Sequence, residues 1–128
     1  MKNILTALSF VVITSSLVFA QDFESKYEMK TYYMVFLKKG PNRDKHDSLT
    51  VAKIQKEHLA NIERLAQEGY INIAGPFMDD QDLRGIFIMN VESKEKAEEL
   101  VNTDPAVKAG RLIYEIRPWY SAKGSCLQ

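Results

Sequence analysis

Two kinds of hydrophobic pattern alternate along this chain, and their order is what most constrains its fold. Two stretches carry apolar side chains at helical spacing, residues 49–68 and 93–102. Four short runs are rich in aromatic and β-branched residues, as β-strands are: 30–39, 70–77, 85–91 and 112–120. The predicted order β-α-β-β-α-β, with right-handed crossovers, places both helices on one face of a four-stranded antiparallel sheet. That arrangement is a ferredoxin-like α+β domain.

The connections between these elements are predicted from turn and cap residues. Residues 40–48 have the composition of a turn, and Ser48 or Thr50 is expected to cap the following helix. Gly69 follows the end of that helix as a left-handed stop. Residues 103–111 are predicted to form an irregular connection.

Both faces of the predicted sheet are apolar, although helices cover only one of them. The first strand carries Tyr32, Met34 and Phe36 on one face and Tyr33, Val35 and Leu37 on the other. A sheet with one wet face normally alternates apolar with polar residues. Leaving this face in water would forfeit about 1.5–3 kcal/mol per large side chain. We therefore predict a homodimer that packs through the open sheet face, with cover by an N-terminal arm (residues 21–29) as the alternative.

The N-terminus has the layout of a secretory signal peptide. A basic start precedes an apolar run, Ile4 to Phe19, and Ala20 completes a small-residue cleavage site. The alternative, a membrane anchor, needs about 20 apolar residues, and this run is shorter. We predict cleavage after residue 20, no membrane association afterwards, and a secreted or periplasmic domain over residues 30–120. Residues 121–128 are predicted to be a flexible tail.

Charge and motif spacing exclude several classes of function. Without the leader the chain has one more acidic than basic side chain, which gives no field to attract nucleic acid or an anionic membrane. The sequence contains no HxH, HExxH, CxxC or GxSxG pattern and no glycine-rich phosphate loop. We therefore predict neither a metal nor an organic cofactor.

His58 is the most unusual residue of the first helix. It lies at the centre of an apolar stripe that includes Ile54 and Ile62, so its ring is expected to face the sheet. Two interpretations remain open. His58 is either a core histidine that is bonded to a carbonyl or a Tyr hydroxyl, or a general acid–base in a pocket between helix and sheet.

Topology brings three loops to the end of the domain nearest His58. The loops contain residues 40–48, Asp79 with Asp80, and Asp104. A carboxylate from this group would hold the imidazole tautomer or share in proton transfer. The alternatives are a solvated hairpin turn for Asp79 and Asp80, and a helix cap for Asp104.

The remaining polar residues have simpler interpretations. His46 lies in a charged loop and is expected to be solvated. The arginines at 84, 111 and 117 either bind a substrate carboxylate or are ordinary surface charges.

An ordered set of residues resembles the YCII-related (YciI-like) family over about residues 30–120. The set consists of His58-Leu59, Gly69, Ala74-Gly75-Pro76, Gly85, Asp104-Pro105, Ala109-Gly110 and Arg117-Pro118-Trp119. The resemblance implies a dimeric α+β barrel with a His and an Asp as acid–base residues. His58 matches the family histidine, Asp104 matches its Asp-Pro aspartate, and Asp79 follows its Gly-Pro turn. One type of relative removes chloride from a chlorinated hydroquinone, and the fold is shared with lactone isomerases.

Two functional hypotheses follow. The first is a cofactor-independent enzyme in which His58, with Asp104 and Asp79 as candidate partners, performs elimination, isomerisation or hydrolysis on a small organic molecule. The second is a non-catalytic module of the cell envelope, which either binds a small molecule or serves as an accessory dimer.

Overall fold

A four-stranded sheet with the order β2-β3-β1-β4 is the framework of the structure, a computed structural model that describes residues 26–127. The elements are β1 (Met29–Lys39), α1 (Ser48–Gln67), β2 (Ile71–Pro76), β3 (Leu83–Met89), α2 (Lys94–Val101), α3 (Pro105–Lys108) and β4 (Leu112–Ala122). Both β1 and β2 pair antiparallel with β3. The predicted ferredoxin-like α+β arrangement is confirmed. The predicted signal peptide and most of the predicted arm lie outside the described residues.

The chain divides into two compact units. The larger unit, Thr31–Trp119, contains the helices and most of the sheet. In the other unit the amide of Lys123 donates to the carbonyl of Glu28 at 2.7 Å. Within residues 26–127, no helix is long and apolar enough to cross a membrane.

The core of the larger unit lies on the helical side of the sheet. Val35 pairs with Phe87 in the register of β1 and β3, and both side chains are buried. Leu65 of α1 and Val101 of α2 complete this core. Alternation along each strand therefore directs one apolar set toward the helices.

The opposite face of the sheet is also apolar. Phe36 pairs with Ile86, and Met34 pairs with Ile88, in the same register of β1 and β3. Ile88 is buried, whereas the other three side chains are half-buried. The homodimer through this face stays a prediction.

Two connections differ from their predicted form. Asp47, not Ser48 or Thr50, caps α1, because its carboxylate accepts the amides of both Leu49 and Thr50 at 3.0 Å. The stretch predicted as irregular contains the single-turn helix α3, which begins directly after Asp104, in agreement with the alternative that Asp104 is a helix cap. Both differences arise from carboxylates that satisfy backbone N–H groups at a helix start.

Candidate functional site

A cavity of about 310 Å³ lies between α1 and one end of the sheet. Most of its wall is apolar, with polar groups at only a few points. The lining residues of α1 are Gln55, His58, Leu59 and Ile62. The other lining residues come from the strands and the turn after β1: Leu37, Arg43, Ala74, Gly75, Pro76, Arg84, Gly85, Phe87 and Leu112. An apolar cleft with a few convergent polar groups is the usual form of a small-molecule site.

His58 and Asp104 form a buried pair at this cavity. The ring Nδ1 of His58 lies 2.6 Å from Oδ2 of Asp104. His58 is 9% exposed and Asp104 is 1% exposed. The two residues are 46 positions apart in sequence and meet because α1 packs against α3. A buried carboxylate is costly unless it is hydrogen-bonded, so this contact fixes both side chains.

Local sequence fixes the position of Asp104. A residue that precedes proline is restricted to extended backbone, and Asp104 has φ −67° and ψ 123°. Pro105 then occupies the first turn of α3, where its missing N–H is no loss. From this position Oδ1 accepts the amide of Ala106 at 2.8 Å, which leaves Oδ2 for His58. Asp104 is thus both a helix cap and the partner of the imidazole.

The second ring nitrogen of His58, Nε2, is accessible. Within residues 26–127, every buried side-chain nitrogen or oxygen has a hydrogen-bond partner. Nε2 of His58 has no such partner among these residues, so it is an accessible atom of a ring that lines the cavity. Because carboxylate oxygens only accept, Nδ1 donates its proton to Asp104. The neutral ring therefore carries its lone pair on the accessible Nε2, as a general base requires.

The structure places the third predicted residue, Asp79, away from this pair. Asp79 is exposed in the turn between β2 and β3, and its backbone carbonyl accepts a hydrogen bond from Arg84 at 3.0 Å. Its neighbour Asp80 is 3.3 Å from the ammonium of Lys39. The Lys39 hydrogen bond and charge, together with the charge of Arg84, hold the pKa of Asp80 below its usual value. Neither aspartate lines the cavity, and neither contacts His58.

Of the three arginines considered in the sequence, Arg84 lines the cavity and the other two do not. Arg117 of β4 pairs with Glu115, and Arg111 donates to the carbonyl of Arg43. Arg43 also lines the cavity, and sequence reasoning missed it. Its place in a polar turn gave no periodic signal for the direction of its side chain.

His46 differs from its prediction as a solvated loop residue. Its Nε2 lies 3.3 Å from the carbonyl of Ala109, so the ring is partly buried in a loop contact, and it does not line the cavity. Within the described part of the chain, no three His, Cys, Asp or Glu side chains form a cluster suited to a metal ion.

Comparison with known proteins gives matches to a family profile, to a relative in sequence and to a solved structure. The sequence profile of the YCII-related domain matches residues 31–120. The uncharacterized protein YjpA of Bacillus subtilis (strain 168) is 29% identical over 76 residues, which cover 56% of this chain and 87% of YjpA. A similar solved structure is that of 5-chloro-2-hydroxyhydroquinone dehydrochlorinase (TftG) from Burkholderia phenoliruptrix AC1100, in complex with 2,5-dihydroxybenzoquinone. It is 29% identical with a TM-score of 0.50, and the match covers 69% of this chain and 92% of TftG.

Proposed function

The chain belongs to the YCII-related domain family, and from that premise we propose that it is a cofactor-independent enzyme for proton-transfer chemistry on a small organic molecule. The observation that carries this proposal is the buried contact between His58 and Asp104, which leaves Nε2 without a partner among the described residues in a ring that lines an apolar cavity. A core histidine would instead have both nitrogens satisfied within the protein.

In the proposed reaction His58 acts as the base and Asp104 as its positioning residue. Nε2 takes a proton from the substrate, and the imidazolium that forms is stabilised by the adjacent carboxylate. In an elimination, the electron pair of the broken bond to hydrogen forms a new double bond. The leaving group departs with the electron pair of its own bond to carbon. The burial of His58 and Asp104 strengthens the electrostatic interaction within the pair.

Elimination is the reaction class with most support. TftG, which is similar to this chain over most of its own length, is named a dehydrochlorinase and binds 2,5-dihydroxybenzoquinone. Isomerisation and hydrolysis use the same base and remain within the proposal. The alternative function, a non-catalytic binding module, uses the same cavity but requires no proton transfer by His58.

The test compares two histidine variants. We expect the wild-type protein to bind 2,5-dihydroxybenzoquinone and to release chloride from 5-chloro-2-hydroxyhydroquinone. His58→Asn should lower chloride release by about 10²–10⁴-fold, the usual contribution of a general acid–base. His46→Asn is the matched control, because His46 lies outside the cavity, and its activity should stay near wild type.

The outcomes separate the two functions. Binding of the quinone without any chloride release, in both wild type and His58→Asn, would favour the binding module. Equal chloride release by a folded His58→Asn variant would contradict the assignment of His58 as the base. Circular dichroism establishes that each variant is folded.

The proposal also includes assembly and location. The apolar face that carries Phe36 and Ile86 supports a homodimer, and the leader over residues 1–20 supports secretion or transfer to the periplasm.

A further inference from the structure

We propose that the cavity selects a small organic anion and that Arg43 binds its negatively charged group. This inference rests on the proposed function, since it names the class of molecule that the His58 site takes. It adds a recognition residue that neither periodicity nor motif spacing indicated.

The backbone around Arg43 is held in place while its guanidinium is not. The amide of Arg43 donates to Gly40 at 3.1 Å, and its carbonyl accepts a hydrogen bond from Arg111. The amide of Asn42 donates to Gly110 at 2.9 Å. These bonds fix the backbone position of Arg43, whose side chain lines the cavity.

The guanidinium of Arg43 has unused hydrogen-bonding capacity. It makes no hydrogen bond or ion pair with any of residues 26–127, although its positive charge helps to lower the pKa of Asp80. A guanidinium carries five N–H donors and stays charged in proteins. Arg43 is only half exposed, so part of its hydration is replaced by a wall that offers it no acceptor. A ligand oxygen with negative charge would supply that acceptor.

Arg84 adds a second positive charge to the same wall. Its Nη1 donates to the carbonyls of Asp79 and Gln81 and to the carboxylate of Asp80, at 3.0–3.1 Å. These bonds hold Arg84 in position and use only one of its three nitrogens. Asp80 also binds Lys39, so one carboxylate is shared between two cations.

The rest of the lining defines the body of the ligand. None of the described residues that line the cavity is acidic, and Gln55 is the only neutral amide among them. Leu37, Phe87 and Leu112 present apolar surface. The volume of about 310 Å³ is at the lower end of the range for ligand pockets. These properties fit a single-ring molecule with one carboxylate or phenolate group.

The experiment uses benzoate and benzamide, which share shape and differ in charge. Their dissociation constants are measured by ¹H–¹⁵N NMR titration of the protein. We expect wild type to bind benzoate at least about tenfold more tightly than benzamide, the ratio that one charge-assisted hydrogen bond supplies. Arg43→Gln should remove most of this preference by weakening benzoate alone. Arg117→Gln is the control, because Arg117 pairs with Glu115 outside the cavity, and it should retain the preference.

A second variant tests whether binding occurs in the cavity. Ala74 pairs with Phe87 across β2 and β3, and both line the cavity, so Ala74→Leu should fill space there and weaken both ligands. Equal affinity of wild type for the two ligands, no detectable benzoate binding, or an unchanged preference in folded Arg43→Gln would overturn the inference. Quinone binding and chloride release that depend on His58 would survive those results, so the two proposals fail separately.

Discussion

At the scale of single residues, Asp104 links the fold to the proposed chemistry. One oxygen caps α3 at Ala106, and the other binds Nδ1 of His58. Sequence patterns predicted His58 at the inner face of its helix and offered either a cap or an acid partner for Asp104. The structure shows both contacts, since a carboxylate has two oxygens, and a linear pattern does not reveal how a carboxylate divides its bonds.

Asp104→Asn tests the role of this carboxylate in setting the tautomer. Asn is a good helix cap, so its amide oxygen should keep the bond to Ala106 and turn its NH₂ group toward Nδ1. The neutral His58 ring should then carry its proton on Nε2, and chloride release should fall by about 10²–10⁴-fold with little loss of fold. Long-range ¹H–¹⁵N NMR reports the tautomer directly.

Two results would contradict this role for Asp104. One is a neutral His58 ring that already carries its proton on Nε2 in the wild-type protein. The other is wild-type turnover by Asp104→Asn. Asp104→Ala serves as the comparison, because it removes the cap as well and should be less stable than Asp104→Asn.

At the scale of elements, α1 determines where His58 lies relative to the sheet. Periodicity predicted this helix to within one residue at each end, because its apolar stripe is long and regular. The cap was predicted wrongly because three polar residues within one turn, Asp47, Ser48 and Thr50, compete for the position. The Arg43 side chain in the preceding turn was missed for a related reason, since turn geometry, not periodicity, directs it.

The Asp47 cap predicts a pH dependence of stability. Hydrogen bonds from the amide and hydroxyl of Thr50 lower the pKa of the Asp47 carboxyl in the folded state. A lowered folded-state pKa means that the stabilisation is present above the unfolded-state pKa and is lost as pH falls through the folded value. Asp47→Ala should therefore lower the melting temperature at pH 7, with a smaller difference from wild type at pH values below about 4.

The matched control for the cap is Asp47→Asn, which keeps a capping oxygen and does not titrate. Its difference from wild type should be smaller than that of Asp47→Ala at pH 7. Thermal unfolding followed by circular dichroism across pH 2.5–8 measures all three proteins. A gap between wild type and Asp47→Ala that widens on acidification would contradict this assignment.

At the scale of the whole molecule, the order of elements and the two-faced sheet were readable from the sequence. Side chains alternate along a strand, so the sequence separated the two faces of the sheet, but it did not show which of them the helices cover. The predicted homodimer requires a second copy of the chain, and this prediction rests on the apolar side chains of the open face. The cavity also depends on the fold as a whole, because it forms where α1, the turn after β1 and the ends of the strands meet.

Phe36→Lys tests the predicted dimer. Phe36 pairs with Ile86 on the open face, where a buried ammonium would oppose close sheet-to-sheet packing. Light scattering should give twice the chain mass for wild type and the single-chain mass for Phe36→Lys. Leu49→Lys is the control, because Leu49 is 83% exposed at the start of α1, and it should remain dimeric. A monomeric wild type at micromolar concentration would contradict the prediction.

The most direct measurement of the central claim is a crystal structure of the wild-type protein soaked with 2,5-dihydroxybenzoquinone. Proton transfer by His58 requires a ligand oxygen or carbon-bound proton within reach of Nε2, about 2.6–3.2 Å between heavy atoms for a hydrogen bond. We predict the quinone in the cavity with an oxygen at that distance from Nε2, while Nδ1 keeps its contact with Asp104. A quinone bound elsewhere, or an Nε2 that is hydrogen-bonded to a protein group in the complex, would contradict the assignment of His58 as the base.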